Sequence, residues 1–193
     1  KFTLIFFYNF LKASLIIRDF PHPYDPTTKN GDPSSIQGSR IDKVFSNIKI
    51  GNLSNSQDTQ LLKKALSANS ETVDIHHAGT AMRFLTSYFA IQEGKEVVLT
   101  GSFRMKERPI QILVAALNQL GAEISYVENE GFPPIKIKGK KIINNKVSLP
   151  ANISSQYISA LLLIAPKLEN GLELTLEGEI TSVPYIKMTL GLL

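Results

Sequence analysis

Four short stretches of this chain carry side chains suited to holding an anion. In His77-Ala78-Gly79-Thr80-Ala81-Met82-Arg83, a glycine and a hydroxyl stand where a helical apolar spacing begins. Glycine lets a ligand approach the backbone closely, and the unpaired N–H groups of a helix opening favour negative charge. In Leu99-Thr-Gly-Ser-Phe-Arg-Met-Lys-Glu-Arg-Pro-Ile110, Arg104, Lys106 and Arg108 alternate with Met105 and Glu107. Guanidinium forks hold carboxylates or phosphates bidentately, through charge-assisted hydrogen bonds worth about 1.5–3 kcal/mol when sheltered. In Ala151–Ser159, an N-cap role accounts for Ser154 and leaves Ser155 and Gln156 to a ligand. The fourth stretch is Ser182-Val183-Pro184-Tyr185. Each alone has an ordinary explanation, as a helix start or a solvated basic loop, but four together, the arginine loop among them, point to a site for two anionic ligands.

Other chemistries are excluded or disfavoured by composition. There are no cysteines, so disulfides, thiolate catalysis and cysteine-ligated metals are ruled out. The three histidines are His22, His76 and His77, two of them adjacent, which suits a zinc site poorly. A net charge of +4 is too mild to argue for nucleic acid. It does suit an enzyme whose cleft draws in anions. Lys136 and Lys138 alternate with Ile135 and Ile137, so that basic cluster reads as the solvated face of a half-buried strand. The apolar run Phe2–Leu11 is too short to span a bilayer and lacks the marks of a signal peptide, so a buried strand and a cytoplasmic protein without membrane contact are expected.

The elements that position these residues alternate between strand and helix. Residues 18–40, rich in proline and glycine, read as a loop. A short strand over Ile48–Leu53 precedes a helix over Asp58–Ala68 with Leu61, Leu62 and Leu66 at helical spacing. A strand over Thr72–Ile75 is followed by a helix from about Thr80 with Met82, Leu85 and Phe89 on one face. Glu96–Thr100 is a strand, and the basic loop after it leads to Pro109, expected in the first turn of a helix over Ile110–Leu120 that Gly121 ends. Strands over 122–127 and 134–138 follow. The pattern then repeats with a strand at Lys146–Leu149, a helix capped by Ser154, a strand at Leu172–Leu176 and a helix capped by Ser182. Strand–helix alternation with interspersed hairpins predicts an α/β fold whose sheets are not purely parallel.

The quoted stretches also carry a resemblance. His-Ala-Gly-Thr-Ala-Met-Arg, Arg-Met-Lys-Glu-Arg-Pro-Ile, Ser-Ser-Gln-Tyr-Ile-Ser-Ala-Leu-Leu and Ser-Val-Pro-Tyr-Ile occur in the order found in 5-enolpyruvylshikimate-3-phosphate synthases. From about Asn47 to Leu193 the chain resembles the first half of that family. The resemblance implies repeated βαβαββ units of the enolpyruvyl transferase fold, with 1–40 a divergent segment and 41–193 one incomplete domain. It implies transfer of the enolpyruvyl group of phosphoenolpyruvate to the 5-hydroxyl of shikimate 3-phosphate, with release of phosphate and without metal or organic cofactor. By the same resemblance, Gly79 and Thr80 would lie against phosphoenolpyruvate and the competing herbicide glyphosate, and Arg104 would clamp phosphoenolpyruvate. Ser154, Ser155 and Gln156 would hold shikimate 3-phosphate, Ser182 its phosphate, and Tyr185 its ring. A monomer is implied at full family length.

The chain also departs from the family. Asparagine is usual where His77 stands, and proline where Phe84 stands. The family opens this domain with Gly-Ser-Lys-Ser-x-Ser-x-x-Arg, whereas Gly38-Ser39-Arg40-Ile41-Asp42-Lys43 begins like it and then diverges, so no role is carried onto that segment. The catalytic aspartate and further cations of the family belong to its second domain, so these residues are expected to bind without turnover. A noncatalytic anion-binding half-domain is the rival reading. A UDP-N-acetylglucosamine enolpyruvyl transferase is disfavoured by the absence of the loop cysteine usual there.

Overall fold

The computed structural model describes residues 2–9, 12–18, 53–181 and 183–193, with side chains described from Leu53 onward. The strand expected over Ile48–Leu53, the Gly38–Lys43 segment and Ser182 therefore lie outside the described residues, apart from Leu53, which is in no strand.

The first unit begins with helix α1 (Gln57–Leu66), where the Ser56 hydroxyl accepts from the Thr59 N–H at 3.4 Å and Asp58 occupies the first turn. Its apolar face is shallower than the leucine spacing predicted, because Ala65 is its one buried residue and Leu66 is 45% exposed. Strand β3 (Thr72–Asp74) then leads into α2 (Gly79–Ala90) and strand β4 (Glu96–Thr100). β3 and β4 are parallel, as a helical crossover between them requires. α2 is buried on nearly every side, including Arg83, Thr86 and Ser87, rather than on the single expected face. It packs against α1, α4 and α5, as well as β4 and β6, and so is the central helix of the described fold.

The basic stretch after β4 is not an open loop. Phe103–Lys106 forms a short helix, α3, whose one buried residue is Met105. Helix α4 (Gln111–Leu120) starts later than predicted, with Ile110 at its N-cap, so Pro109 lies outside the first turn. Ile110 itself is not helical, with φ −134°, and its N–H donates to the Gly131 carbonyl at 2.8 Å. The predicted apolar stripe is fully buried at Leu113, Leu117 and Leu120, each worth about 1.5–3 kcal/mol of burial. Gly121, at φ 105°, ends the helix in the left-handed conformation that glycine adopts without strain. Strands β5 (Glu123–Tyr126) and β6 (Ile135–Lys138) form an antiparallel hairpin, with β6 also antiparallel to β4. Ile135 and Ile137 are buried, while Lys136 pairs with Glu96 and Lys138 pairs with Glu123 at 2.7 Å, so the lysines are a solvated face.

The second unit repeats the opening of the first. Strand β7 (Lys146–Pro150), helix α5 (Ser155–Ile164) and strand β8 (Leu172–Glu177) form a parallel crossover, followed by helix α6 (Val183–Leu192). Two further strands, β1 (Phe2–Asn9) and β2 (Lys12–Arg18), make an antiparallel hairpin whose first strand pairs with β8. The sheet orders are β3-β4-β6-β5 and β2-β1-β8-β7, both mixed. Helices α2, α4 and α5 supply much of a continuous apolar cluster between them, running from Ala65 to Ile186.

Candidate functional site

The site forms where the openings of α2 and α5 meet the segment from α3 to Pro109. At the start of α2, Asp74 accepts the His76 N–H at 2.7 Å, turning the chain so that His76 has φ 51°. That turn brings the His76 carbonyl to the Ser102 N–H at 2.8 Å, which seats the short helix α3 beside the opening of α2. Gly101 fits because a Cβ there would meet the His76 carbonyl and Met105.

Gly79 is buried, and a Cβ on it would run into the guanidinium of Arg108. The Arg108 side chain therefore lies directly over the glycine backbone at the helix opening. Arg104 and Arg108 line one open cleft of about 870 Å³ together with His76, His77, Ser102 and the carboxylate-bearing Glu107. Lys106, the third cation of the stretch, is committed elsewhere, to Glu128 at 2.6 Å. Among the described residues no carboxylate pairs with Arg104 or Arg108.

On the other side, the Ser154 hydroxyl caps α5 by accepting the Gln156 N–H at 3.4 Å. The Gln156 amide donates through Nε2 to the Thr80 hydroxyl at 3.1 Å, which brings two of the predicted site residues into contact. Ser155 is half-buried in the same turn. Tyr185 stands in the first turn of α6 and is 60% exposed. Its helix is fastened to α5 by the Ser159 and Thr189 hydroxyls, 2.8 Å apart.

Three residues outside the predicted site set, Arg83, Tyr157 and Pro109, hold this arrangement. Arg83, buried at 4% exposure, donates to the Gly79 carbonyl at 3.1 Å and to the Pro109 carbonyl at 3.0 Å. Tyr157 donates its hydroxyl to the same Pro109 carbonyl at 2.8 Å, and the Arg83 guanidinium lies 5.7 Å from its ring centre. Pro109 is thus the joint between α2, α5 and the arginine segment, and Arg108 is its chain neighbour. The sign in the sequence was Arg83 one helical turn after Gly79, on the same face.

Residues 43–193 match the family described as EPSP synthase (3-phosphoshikimate 1-carboxyvinyltransferase). The chain belongs to the EPSP synthase family. A 3-phosphoshikimate 1-carboxyvinyltransferase of Bacteroides fragilis is 55% identical over 75% of this chain and 35% of its own length. One of Colwellia psychrerythraea is 51% identical over 61% of this chain and 27% of its own length. The chain thus spans about a third of these curated EPSP synthases. A solved EPSP synthase of Acinetobacter baumannii superposes with a TM-score of 0.53 at 25% identity, covering 62% of this chain and 26% of that one. The first unit's order, β3-α2-β4-α4-β5-β6 with α3 inserted, is the βαβαββ pattern expected of the EPSP synthase fold. Among the described residues no helix is long and apolar enough to cross a membrane.

Proposed function

We propose that these residues hold shikimate 3-phosphate beside phosphoenolpyruvate, for transfer of the enolpyruvyl group to the 5-hydroxyl with release of phosphate. The observation that carries this reading is the Gln156–Thr80 hydrogen bond, which ties the two helix openings to one place. The α5 side, with Ser154, Ser155 and Gln156, takes shikimate 3-phosphate, with Ser182 and Tyr185 completing its phosphate and ring contacts. The α2 side, with Gly79, Thr80 and Arg104, takes phosphoenolpyruvate, and glyphosate competes there. Gln156 reaches both. Membership in the EPSP synthase family, and the placing of Arg108 over the α2 opening with Arg104 in the same cleft, neither paired with a carboxylate among the described residues, support this division.

The contribution to catalysis is orientation. Fixing two reactants side by side lowers a barrier by about 7–11 kcal/mol without any group of the protein entering the bond changes. The same reading places the protein in the cytoplasm, as a monomer at full family length. Titration of the isotopically labelled chain with shikimate 3-phosphate, followed by amide shifts, tests it. Shifts gathered at Gly79, Thr80, Ser155 and Gln156 are expected; shifts confined to other residues contradict it.

A further inference from the structure

His76 and His77 line the cleft beside Arg104 and Arg108, and the function proposed above gives neither a task. Both side chains are exposed. The turn at His76 is made by its backbone, whose N–H is held by Asp74 at 2.7 Å and whose carbonyl holds the Ser102 N–H at 2.8 Å. At φ 51° the residue sits in the left-handed region, which glycine enters freely and a side chain opposes. The turn therefore does not need the imidazole.

The two rings meet edge to face with centres 4.5 Å apart, and Nδ1 of one is hydrogen-bonded to Nδ1 of the other. Nε2 of His77 meets Oε1 of Gln57, the first residue of α1, at 2.9 Å. These partners assign the tautomers. An amide oxygen only accepts, so His77 carries its proton on Nε2 and donates it to Gln57. In the neutral ring Nδ1 of His77 then accepts, so His76 donates through Nδ1. Nε2 of His76 is left with a lone pair and no hydrogen-bond partner among the described residues. Gln57, His77 and His76 thus form an ordered chain that ends on an open nitrogen of a cleft residue.

We propose that His76 is a further anion-binding residue of this cleft, and that its Nε2 takes a proton from solvent when a doubly charged phosphate or sulfate group binds beside Arg104 and Arg108. This rests on the reading that the cleft takes an anion. The new N–H donates to an anion oxygen, while Nδ1 keeps its bond to His77 and with it the orientation of the ring. The pair accepts one proton only, because a second on Nδ1 of His77 would set two N–H groups against each other. The charged groups around the pair are Asp74 at the end of β3 and Arg104, Glu107 and Arg108 after β4, and α1 presents the neutral Gln57. A seated anion favours the imidazolium, and by linkage the imidazolium favours the anion. Histidine is the side chain that changes charge between about pH 5 and 8, so binding strengthens as pH falls through that range.

Sulfate tests this on the full chain, because it keeps its charge over that range and adds no titration of its own. Its affinity should rise about fivefold or more between about pH 8 and about pH 5.5. His76→Gly suits the left-handed turn, so it should unfold at the same denaturant concentration as the parent and lose the acid gain. In nitrogen spectra of the labelled imidazoles, sulfate should move Nε2 of His76 toward its protonated position and leave Nδ1 of His77 unprotonated. Sulfate binding that is absent or equal at both pH values, an acid gain that survives His76→Gly, or protonation of His77 instead overturns the inference. If phosphoenolpyruvate still shifts Gly79 and Thr80, the function proposed above stands without it; if neither anion binds at any pH, both fall.

Discussion

Gln156 donates a hydrogen bond to the Thr80 hydroxyl across 3.1 Å, although the two residues lie 76 positions apart. The contact joins two helix openings that sequence reasoning had considered one at a time, and it makes a single place of them. Arg108 lies over Gly79 and shares a cleft with Arg104; Glu107 lines that cleft too, but among the described residues no carboxylate forms an ion pair with either arginine.

Gln156→Ala is expected to weaken shikimate 3-phosphate binding by about tenfold or more, the value of one sheltered hydrogen bond to a charged ligand. The variant should retain its folded stability, because the lost Thr80 bond is half-exposed. Binding unchanged from the parent would place the ligand elsewhere.

The two basic residues of α3 are expected to behave differently. Arg104→Ala should weaken phosphoenolpyruvate binding by about tenfold or more, since Arg104 lines the cleft. Lys106→Ala should change it little, because Lys106 is occupied by Glu128. Equal losses, measured by direct titration, would show that only net charge matters. Arg83→Ala should instead lower stability, by about 2–4 kcal/mol in denaturant unfolding, because it strips buried bonds from the carbonyls of Gly79 and Pro109.

Two glycines separate function from folding. At Gly79 an added Cβ meets the end of a flexible arginine, so Gly79→Ala should fold with little loss of stability while displacing Arg108 and weakening anion binding. At Gly139 a Cβ meets the backbone carbonyls of Gln92 and Phe89, which cannot step aside. Gly139→Ala should therefore cost about 3 kcal/mol in unfolding experiments. Equal thermal stability of the two variants would contradict this geometry.

Much of this was legible beforehand, for definite reasons. The stripe Leu113, Val114, Leu117 and Leu120 gave α4 because tertiary burial follows the same period as the sequence. The Ser154 cap and the alternation Ile135-Lys136-Ile137-Lys138 were equally local signals. Phe103–Lys106 is a single turn, too short to show a period, so its sequence reads as loop. α2 lost its apparent polar face because Arg83 and Thr86 satisfy themselves on the Gly79, Pro109 and Met82 carbonyls, which no spacing reveals. Phe2–Leu11 looked like strand, but its partner β8 is a long-range choice made by register rather than by local propensity.

Acid should loosen the sheet face. Hydrogen bonds and charge from Lys136 and Lys138 hold the Glu96 and Glu123 carboxyls below their ordinary range. Their stabilising contribution is therefore full above the ordinary carboxylate pKa and is lost as pH falls through the lowered folded-state values. Both pairs are exposed, so the effect is small and salt-sensitive. Glu96→Gln with Glu123→Gln should flatten the acid limb of stability against pH; an unaltered limb would contradict the assignment.

A polypeptide of these 193 residues should release no phosphate from phosphoenolpyruvate and shikimate 3-phosphate together, because the role proposed for its site residues is only to hold and orient. Detectable turnover would show that a proton-transferring group has been overlooked in the cleft.

The α2 and α5 openings and the arginine segment are proposed to form one hollow for two phosphorylated ligands. Calorimetric titration of the chain with shikimate 3-phosphate, repeated in the presence of phosphoenolpyruvate, is the direct test. A saturable one-to-one isotherm that Gln156→Ala weakens, and that persists when phosphoenolpyruvate is bound, is the expected result. Absence of saturable heat, or mutual exclusion of the two ligands, would contradict it.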